Sequence, residues 1–180
     1  MPEVIRLKSC RSTQDIARRM AAEGAPSWTL VRSDRQSRGR GRIGRRWASG
    51  PGGLYFSLIL RPRIEPAGLA ELSRGTAAAC GRALARTTKL RIGVKPPNDV
   101  FAASARCARF KKICGILIEA SGDTKKVDWA VIGIGINVNN KVPESLAEAS
   151  SIASLTGSHQ DPEVILESVL AALRARFSRY

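Results

Sequence analysis

No stretch of this 180-residue chain restricts its fold more than Gln36 to Trp47, Q-S-R-G-R-G-R-I-G-R-R-W. Six arginines (Arg35, Arg38, Arg40, Arg42, Arg45, Arg46) crowd around three glycines (Gly39, Gly41, Gly44) and leave almost nothing apolar to bury. Such a segment cannot enter a core. It is a surface loop whose guanidinium groups each offer a planar fork of donors, matched to carboxylate or phosphate through two parallel hydrogen bonds. The interleaved glycines let the backbone approach a ligand closely. Like charges at this density repel, so the loop is expected to be mobile when empty and ordered around an anion. A plain basic tract has the same composition.

The rest of the chain is long enough for one domain that buries roughly two-thirds of its unfolded surface. Four cysteines (Cys10, Cys80, Cys107, Cys114) form no C-x-x-C pair and share the chain with a single histidine, His159, which argues against a zinc site. No apolar run approaches the roughly 20 residues of a membrane span, and no signal-peptide pattern opens the chain, so a cytoplasmic protein with reduced thiols and no membrane partner is expected. The formal net charge of +15 biases the partner toward an anion: nucleic acid, nucleotide or acidic protein.

Read in order, Val4 to Leu7 is a short strand, and Ser12-Thr13-Gln14-Asp15 opens a helix through about Ala22, closed by Gly24. Trp28 to Arg32 reads as a strand leading into the arginine loop. Leu54 to Leu60, L-Y-F-S-L-I-L, is the clearest strand, with turn residues before it and Pro62 and Pro66 after it. Small and apolar residues at helical spacing from Ala67 to about Arg86 make one long helix. Leu90 to Val94 is a strand, Lys95-Pro96-Pro97-Asn98-Asp99 a rigid turn, and Phe101 to Arg109 an irregular basic excursion. Ile113 to Ala120 and Val127 to Val138 pair as a hairpin through Ser121-Gly122-Asp123. Asp161-Pro162 caps a final helix to about Arg176. Strands outnumber helices and come partly as hairpins, so the fold class expected is α+β, a mixed, largely antiparallel sheet with packed helices.

Gly39-x-Gly41-x-x-Gly44 matches the spacing of a dinucleotide fingerprint, but Arg-Arg-Trp-Ala-Ser-Gly-Pro follows where that site needs a helix N-terminus. Taken together the motifs converge elsewhere. Ser12-Thr13, Gln36, Gly39-Arg40-Gly41-Arg42-x-Gly44-Arg45-x-Trp47, Pro97-Asn98-Asp99, Lys112-Ile113-x-Gly115-Ile116-Leu117-x-Glu119 and Gly133-x-Gly135-Ile136-Asn137 resemble, in this order, the biotin protein ligases. The resemblance runs from about Leu7 to Asn137. It implies the catalytic fold shared by class II aminoacyl-tRNA synthetases and biotin and lipoate ligases.

It also implies chemistry: biotin is joined to the α-phosphate of ATP as biotinyl-5′-AMP, then passed to a lysine of a biotin carboxyl carrier protein, of acetyl-CoA carboxylase or a related carboxylase. Two anions must meet, which is what concentrated arginine permits. By match to the family motif, Arg40 and Arg42 contact phosphate and biotin carboxylate, Gly39 to Gly41 close over the intermediate, and Arg45 and Trp47 fix the loop and stack near the adenylate. A loop that orders only around an acyl adenylate also excludes water. Ser12, Thr13 and Gln36 match contacts to the ureido head of biotin, although Ser12-Thr13 serves equally as a helix cap. Lys112 matches the catalytic lysine, with Gly115 beside it. Asn98 and Asn137 match adenylate contacts and Asp99 a magnesium ligand, a role that suits a carboxylate beside phosphates. Gly133 and Gly135 let their strand pass close to biotin.

Pro96 stands where the family usually has tryptophan, and the connection between Asp99 and Lys112 is longer and more basic than is typical. The chain ends at Tyr180 without the small β-rich domain of many bacterial members, and only six residues precede the first matching strand. A winged-helix domain would not fit there, so no DNA-binding role is expected. Family members often pair through a sheet edge, which makes a homodimer the corresponding expectation. Two other readings stay open: a lipoate-type ligase using the same adenylate chemistry, and a basic nucleic-acid-binding protein. Against the latter, no aromatic residue is interleaved among the loop arginines as a stacking platform.

Overall fold

The computed structural model describes residues 3–178 and 180. Its frame is a seven-stranded sheet in the order β1-β2-β3-β7-β6-β5-β4, built from β1 (Val4–Leu7), β2 (Leu30–Ser33), β3 (Leu54–Leu60), β4 (Arg91–Lys95), β5 (Asp99–Ala103), β6 (Lys111–Gly122) and β7 (Val127–Ile136). Among these strands β1 and β2 pair in parallel, and every other neighbouring pair is antiparallel. The helices are α1 (Thr13–Ala22), α2 (Leu69–Thr88), α3 (Ile152–Thr156) and α4 (Pro162–Arg176). This is the mixed, mostly antiparallel α+β architecture expected from the hairpin pattern.

Alternation along β3 divides the molecule in two, because successive side chains leave a strand on opposite faces. Leu54, Phe56, Leu58 and Leu60 join the larger core with residues of α2 and α4, including Leu84 and Leu173. Ile59 points the other way, into a smaller cluster with Val31, Val131 and the α1 residues Ala17 and Ala21. Each fully buried Leu or Ile stabilises by roughly 1.5–3 kcal/mol. Small residues set how closely α2 lies on the sheet: a Cβ added at Gly81 would come within 2.9 Å of Val94.

Three local expectations are corrected. Phe101 to Arg109 is not all irregular, because Asp99–Ala103 forms β5 between β4 and β6. Its short V-F-A-A run is buried at Val100, Ala102 and Ala103, and tertiary pairing outweighs the basic surroundings that suggested a loop. The second strand starts at Leu30, because Trp28 sits at φ 72°, a left-handed conformation no strand accommodates. Ser12 occupies the N-cap position of α1 but its side chain makes no cap hydrogen bond. Asp161, in contrast, does cap α4, accepting from the Glu163 amide. The five-residue α3 had no expectation attached to it.

Candidate active site

The sheet face under α1 is floored by small residues. The register sets Ser57 of β3 beside Gly133 of β7, Gly133 beside Leu117 of β6, and Gly135 beside Gly115. A cavity of about 260 Å³ opens over this floor, roofed by the loop that joins β2 to β3.

One end of the cavity is polar. The Thr13 backbone N–H donates to Gln36 Oε1 at 2.8 Å, and the Thr13 hydroxyl lies 2.9 Å from Ser57 Oγ. Ser57 Oγ donates to Gln14 Oε1 at 3.1 Å while Gln14 Nε2 donates to the Val131 carbonyl, and Gln36 Nε2 donates to Ser49 Oγ at 2.8 Å. These side chains hold one another in fixed rotamers. Ser12 Oγ is buried at the same wall and has no hydrogen-bond partner among the described residues. Failure to cap α1 thus leaves a hydroxyl facing the cavity, and an unpaired buried hydroxyl costs about 1–3 kcal/mol until a ligand satisfies it.

Two residues along β7, roughly 7 Å away, Trp47 lies over the two paired glycines. A Cβ at Gly115 would stand 2.6 Å from Trp47 Cζ3, and one at Gly135 would collide with Trp47 Nε1. A Cβ at Gly133 would collide with Gln14 Oε1. Trp47 Nε1 is itself buried without a hydrogen-bond acceptor among the described residues.

Beyond Trp47 the cavity is charged. Lys112 Nζ lies 5.5 Å from the Trp47 ring centroid and 2.6 Å from Asp99 Oδ1, so the longer connection does bring Asp99 and Lys112 together. Lys112 and Gly115 are three positions apart, which would set them on opposite faces of a regular strand. A bulge solves this: Val100 pairs with Cys114 and Phe101 with Lys112, leaving Ile113 as the extra residue, so both face the cavity. Arg42 Nη1 donates to Asn98 Oδ1 at 2.9 Å, while Asn98 Nδ2 donates to the Ile116 carbonyl. Arg45 and Arg46 also line this end.

The arginine loop folds back on itself. Trp47 N–H donates to the Gly39 carbonyl and Gly41 N–H to Arg45 O, closing a small hairpin with Ile43 exposed at its tip. Arg40 is engaged by the chain's own carboxylates. Its two Nη atoms contact Asp15 Oδ1 at 2.7 Å and Glu119 Oε1 at 2.8 Å. Partial burial works against the Arg40 charge, but these carboxylates outweigh it and leave the pKa raised.

Of the residues singled out in the sequence, Ser12, Thr13, Gln36 and the three floor glycines meet at or beside the polar end, and Lys112, Asp99, Asn98, Arg42 and Arg45 meet at the charged end. Gly39 stands behind the wall, where a Cβ would meet the Trp47 carbonyl at 2.5 Å. Asn137 does not reach the cavity wall; it is buried and its side-chain carbonyl accepts from Asn140. Gln14, Ser57 and Arg46 were not singled out as site residues. Ser57 carried a signal, the one hydroxyl inside an otherwise apolar and aromatic strand, whereas Gln14 reads locally as part of a helix start.

Comparison with known proteins agrees with this geometry. Residues 7–137 match the model of the biotin/lipoate A/B protein ligase family. The bifunctional ligase/repressor BirA of Bacillus subtilis is 34% identical over 174 residues, covering 94% of this chain and 52% of that protein. The biotin–[acetyl-CoA-carboxylase] ligase of Paracoccus denitrificans is 34% identical over 158 residues, 84% of this chain and 62% of its own length. The chain thus spans about half the length of the first of these relatives. Among solved structures, the biotin protein ligase of Aquifex aeolicus in complex with biotin and ATP superposes with a TM-score of 0.82 at 33% identity, covering 99% of this chain and 72% of that one. That of Leishmania major in complex with biotinyl-5-AMP gives 0.81 at 26% identity, covering 100% and 76%. With the motif order, the sheet and the glycine-floored cavity all in agreement, the chain belongs to the biotin/lipoate A/B protein ligase family and corresponds to the catalytic fold of the biotin protein ligases.

Proposed function

We propose that this chain activates biotin with ATP to biotinyl-5′-AMP and transfers the biotinyl group to a lysine of a biotin carboxyl carrier protein. The observation that carries the reading is the two-ended cavity: fixed hydroxyl and amide groups around an unpaired Ser12 Oγ at one end, and Lys112 with Arg42, Arg45 and Arg46 at the other. The ureido head of biotin has one carbonyl acceptor and two N–H donors, which suits the first end. Its carboxylate and the ATP triphosphate suit the second.

In the first step a carboxylate oxygen attacks the α-phosphorus and pyrophosphate leaves with the bonding pair. Lys112, already between Asp99 and the face of Trp47, neutralises the carboxylate and then the charge growing on the α-phosphoryl oxygens. Arg42, braced by Asn98, does the same from the loop side. In the second step the amine of the carrier lysine attacks the acyl carbon, gives up a proton, and AMP departs. Among the described residues Asp99 is the one carboxylate lining this end of the cavity, a donor set that fits magnesium held mainly by ATP phosphates and water. Bound there, the ion would add positive charge against the phosphates.

The polar end favours biotin over lipoate, whose dithiolane ring offers no comparable donors. The test incubates purified protein with ATP, magnesium and either biotin or lipoate, and identifies the acyl adenylate by mass spectrometry, before and after addition of a carrier domain. Biotinyl-AMP, and a mass gain of one biotinyl group on the carrier, are expected. Lipoyl-AMP in preference to biotinyl-AMP would overturn the substrate assignment.

A further inference from the structure

Arg40 carries the motif's first arginine, yet its guanidinium is taken up by the protein's own carboxylates. Asp15 belongs to the first turn of α1, directly after Gln14 of the cavity wall. Glu119 lies two residues beyond Leu117 on the cavity-facing side of β6. Arg40 therefore spans helix and sheet at the polar end of the cavity, and its backbone is bridged to Arg46 across the hairpin. Arg18 Nη1 approaches the same Glu119 oxygen at 3.4 Å, holding that carboxylate from the helix side.

We propose that Asp15 and Glu119 are positioning residues, a carboxylate clamp that holds Arg40, and with it the arginine hairpin, over the cavity. The clamp sets how long an adenylate made inside is kept from water. This deepens the biotin ligase reading and rests on it for the adenylate, though not for the clamp itself. Both carboxylates act through Arg40 and neither reaches the reacting atoms. The anions of the substrates are correspondingly left to Arg42, Arg45, Arg46 and Lys112. Because the side chains of Arg40 and Asp15 are 36% and 42% exposed, the clamp is weak enough to open and is sensitive to salt.

Hydrogen–deuterium exchange on the unliganded full chain tests it without requiring activity. Asp15→Asn together with Glu119→Gln should speed exchange of the hydrogen-bonded hairpin amides of Gly41, Arg45 and Trp47 by about fivefold at low ionic strength, the scale of an exposed ion pair. High salt should do the same to the wild type and add nothing to the double variant, and Asp15→Glu, which keeps the charge, should retain most of the protection. Unchanged exchange in the loop would overturn the clamp, as would faster exchange spread through α1 and β6. A second readout follows release of adenylate from protein loaded with biotin and ATP, expected to be faster in the double variant and unchanged if the clamp has no role. Wild-type protein that makes no adenylate would refute the ligase reading and leave the exchange result to decide the clamp.

Discussion

Lys112 Nζ sits 2.6 Å from Asp99 Oδ1, although twelve intervening residues include an irregular, basic connection. The β5–β6 pairing and the bulge at Ile113 close that distance. Lys112→Ala would leave the Asp99 carboxylate, three-quarters buried, without its counter-charge. Removal of the positive charge at the reacting centre should lower the rate of adenylate formation by about 10²–10³-fold. Stability should fall by only about 1–2 kcal/mol, the range for a charged hydrogen bond at a partly exposed site. Stopped-time assays of adenylate and urea unfolding would separate the two effects.

The floor glycines make a steric prediction. None of Gly115, Gly133 and Gly135 has a positive φ, so alanine at these positions costs no backbone strain and acts through its methyl group alone. Gly135→Ala and Gly115→Ala would push Trp47 off the floor; Gly133→Ala would push Gln14. The first two should lower the rate of adenylate formation and quench or shift Trp47 fluorescence. Gly133→Ala should chiefly raise the KM for biotin, by about tenfold for a contact worth 1–2 kcal/mol.

Ser12 and Asp161 occupy the same position relative to their helices, and should respond oppositely to alanine. Asp161→Ala removes a side-chain cap on the Glu163 amide and should cost about 1 kcal/mol in thermal or urea unfolding. Ser12→Ala removes no cap bond and relieves an unpaired buried hydroxyl, so stability should hold or rise while biotin binding weakens. Calorimetric unfolding and biotin titration of both variants check the contrast.

That pair also shows what was legible in the sequence. Periodicity and turn chemistry placed the hairpin of β6 and β7, β3, the long helix and the Asp161 cap, because in each the local preference and the packing agree. Ser12 broke the local rule: it lines the cavity and makes no side-chain bond to the helix N-terminus. β5 was missed because its short apolar run is surrounded by basic loop residues and gains its stability from neighbours on both sides. The bulge at Ile113 is invisible to spacing alone, yet K-x-x-G on one cavity wall requires it. The glycines and Lys112 could be named from the motif. The partners of Arg40 could not, since Asp15 and Glu119 lie 104 positions apart and only the fold brings both carboxylates to one guanidinium.

The cysteines should differ sharply in reactivity, since the thiolate is the nucleophile. A hydrogen bond with Cys80 and complete burial push Cys114 well above its ordinary value of 9.0, and burial also raises Cys10. With iodoacetamide near pH 8 the native protein should be labelled first at the partly exposed Cys107, more slowly at Cys10, and at Cys80 and Cys114 only after unfolding. Because the folded state keeps the Cys114 proton after the unfolded chain has lost it, stability should fall as pH rises past 9.0 toward the raised folded value. Cys114→Ala should flatten that part of the profile in urea unfolding. Mass spectrometry of labelled peptides checks the order of reactivity.

ATP–pyrophosphate exchange measured with and without biotin, in wild-type protein and in Lys112→Ala, bears most directly on the two-ended cavity as an adenylate-forming site. Exchange that requires biotin and is lost in the variant is the expected result. Exchange that proceeds without biotin, or that survives Lys112→Ala at the wild-type rate, would contradict it.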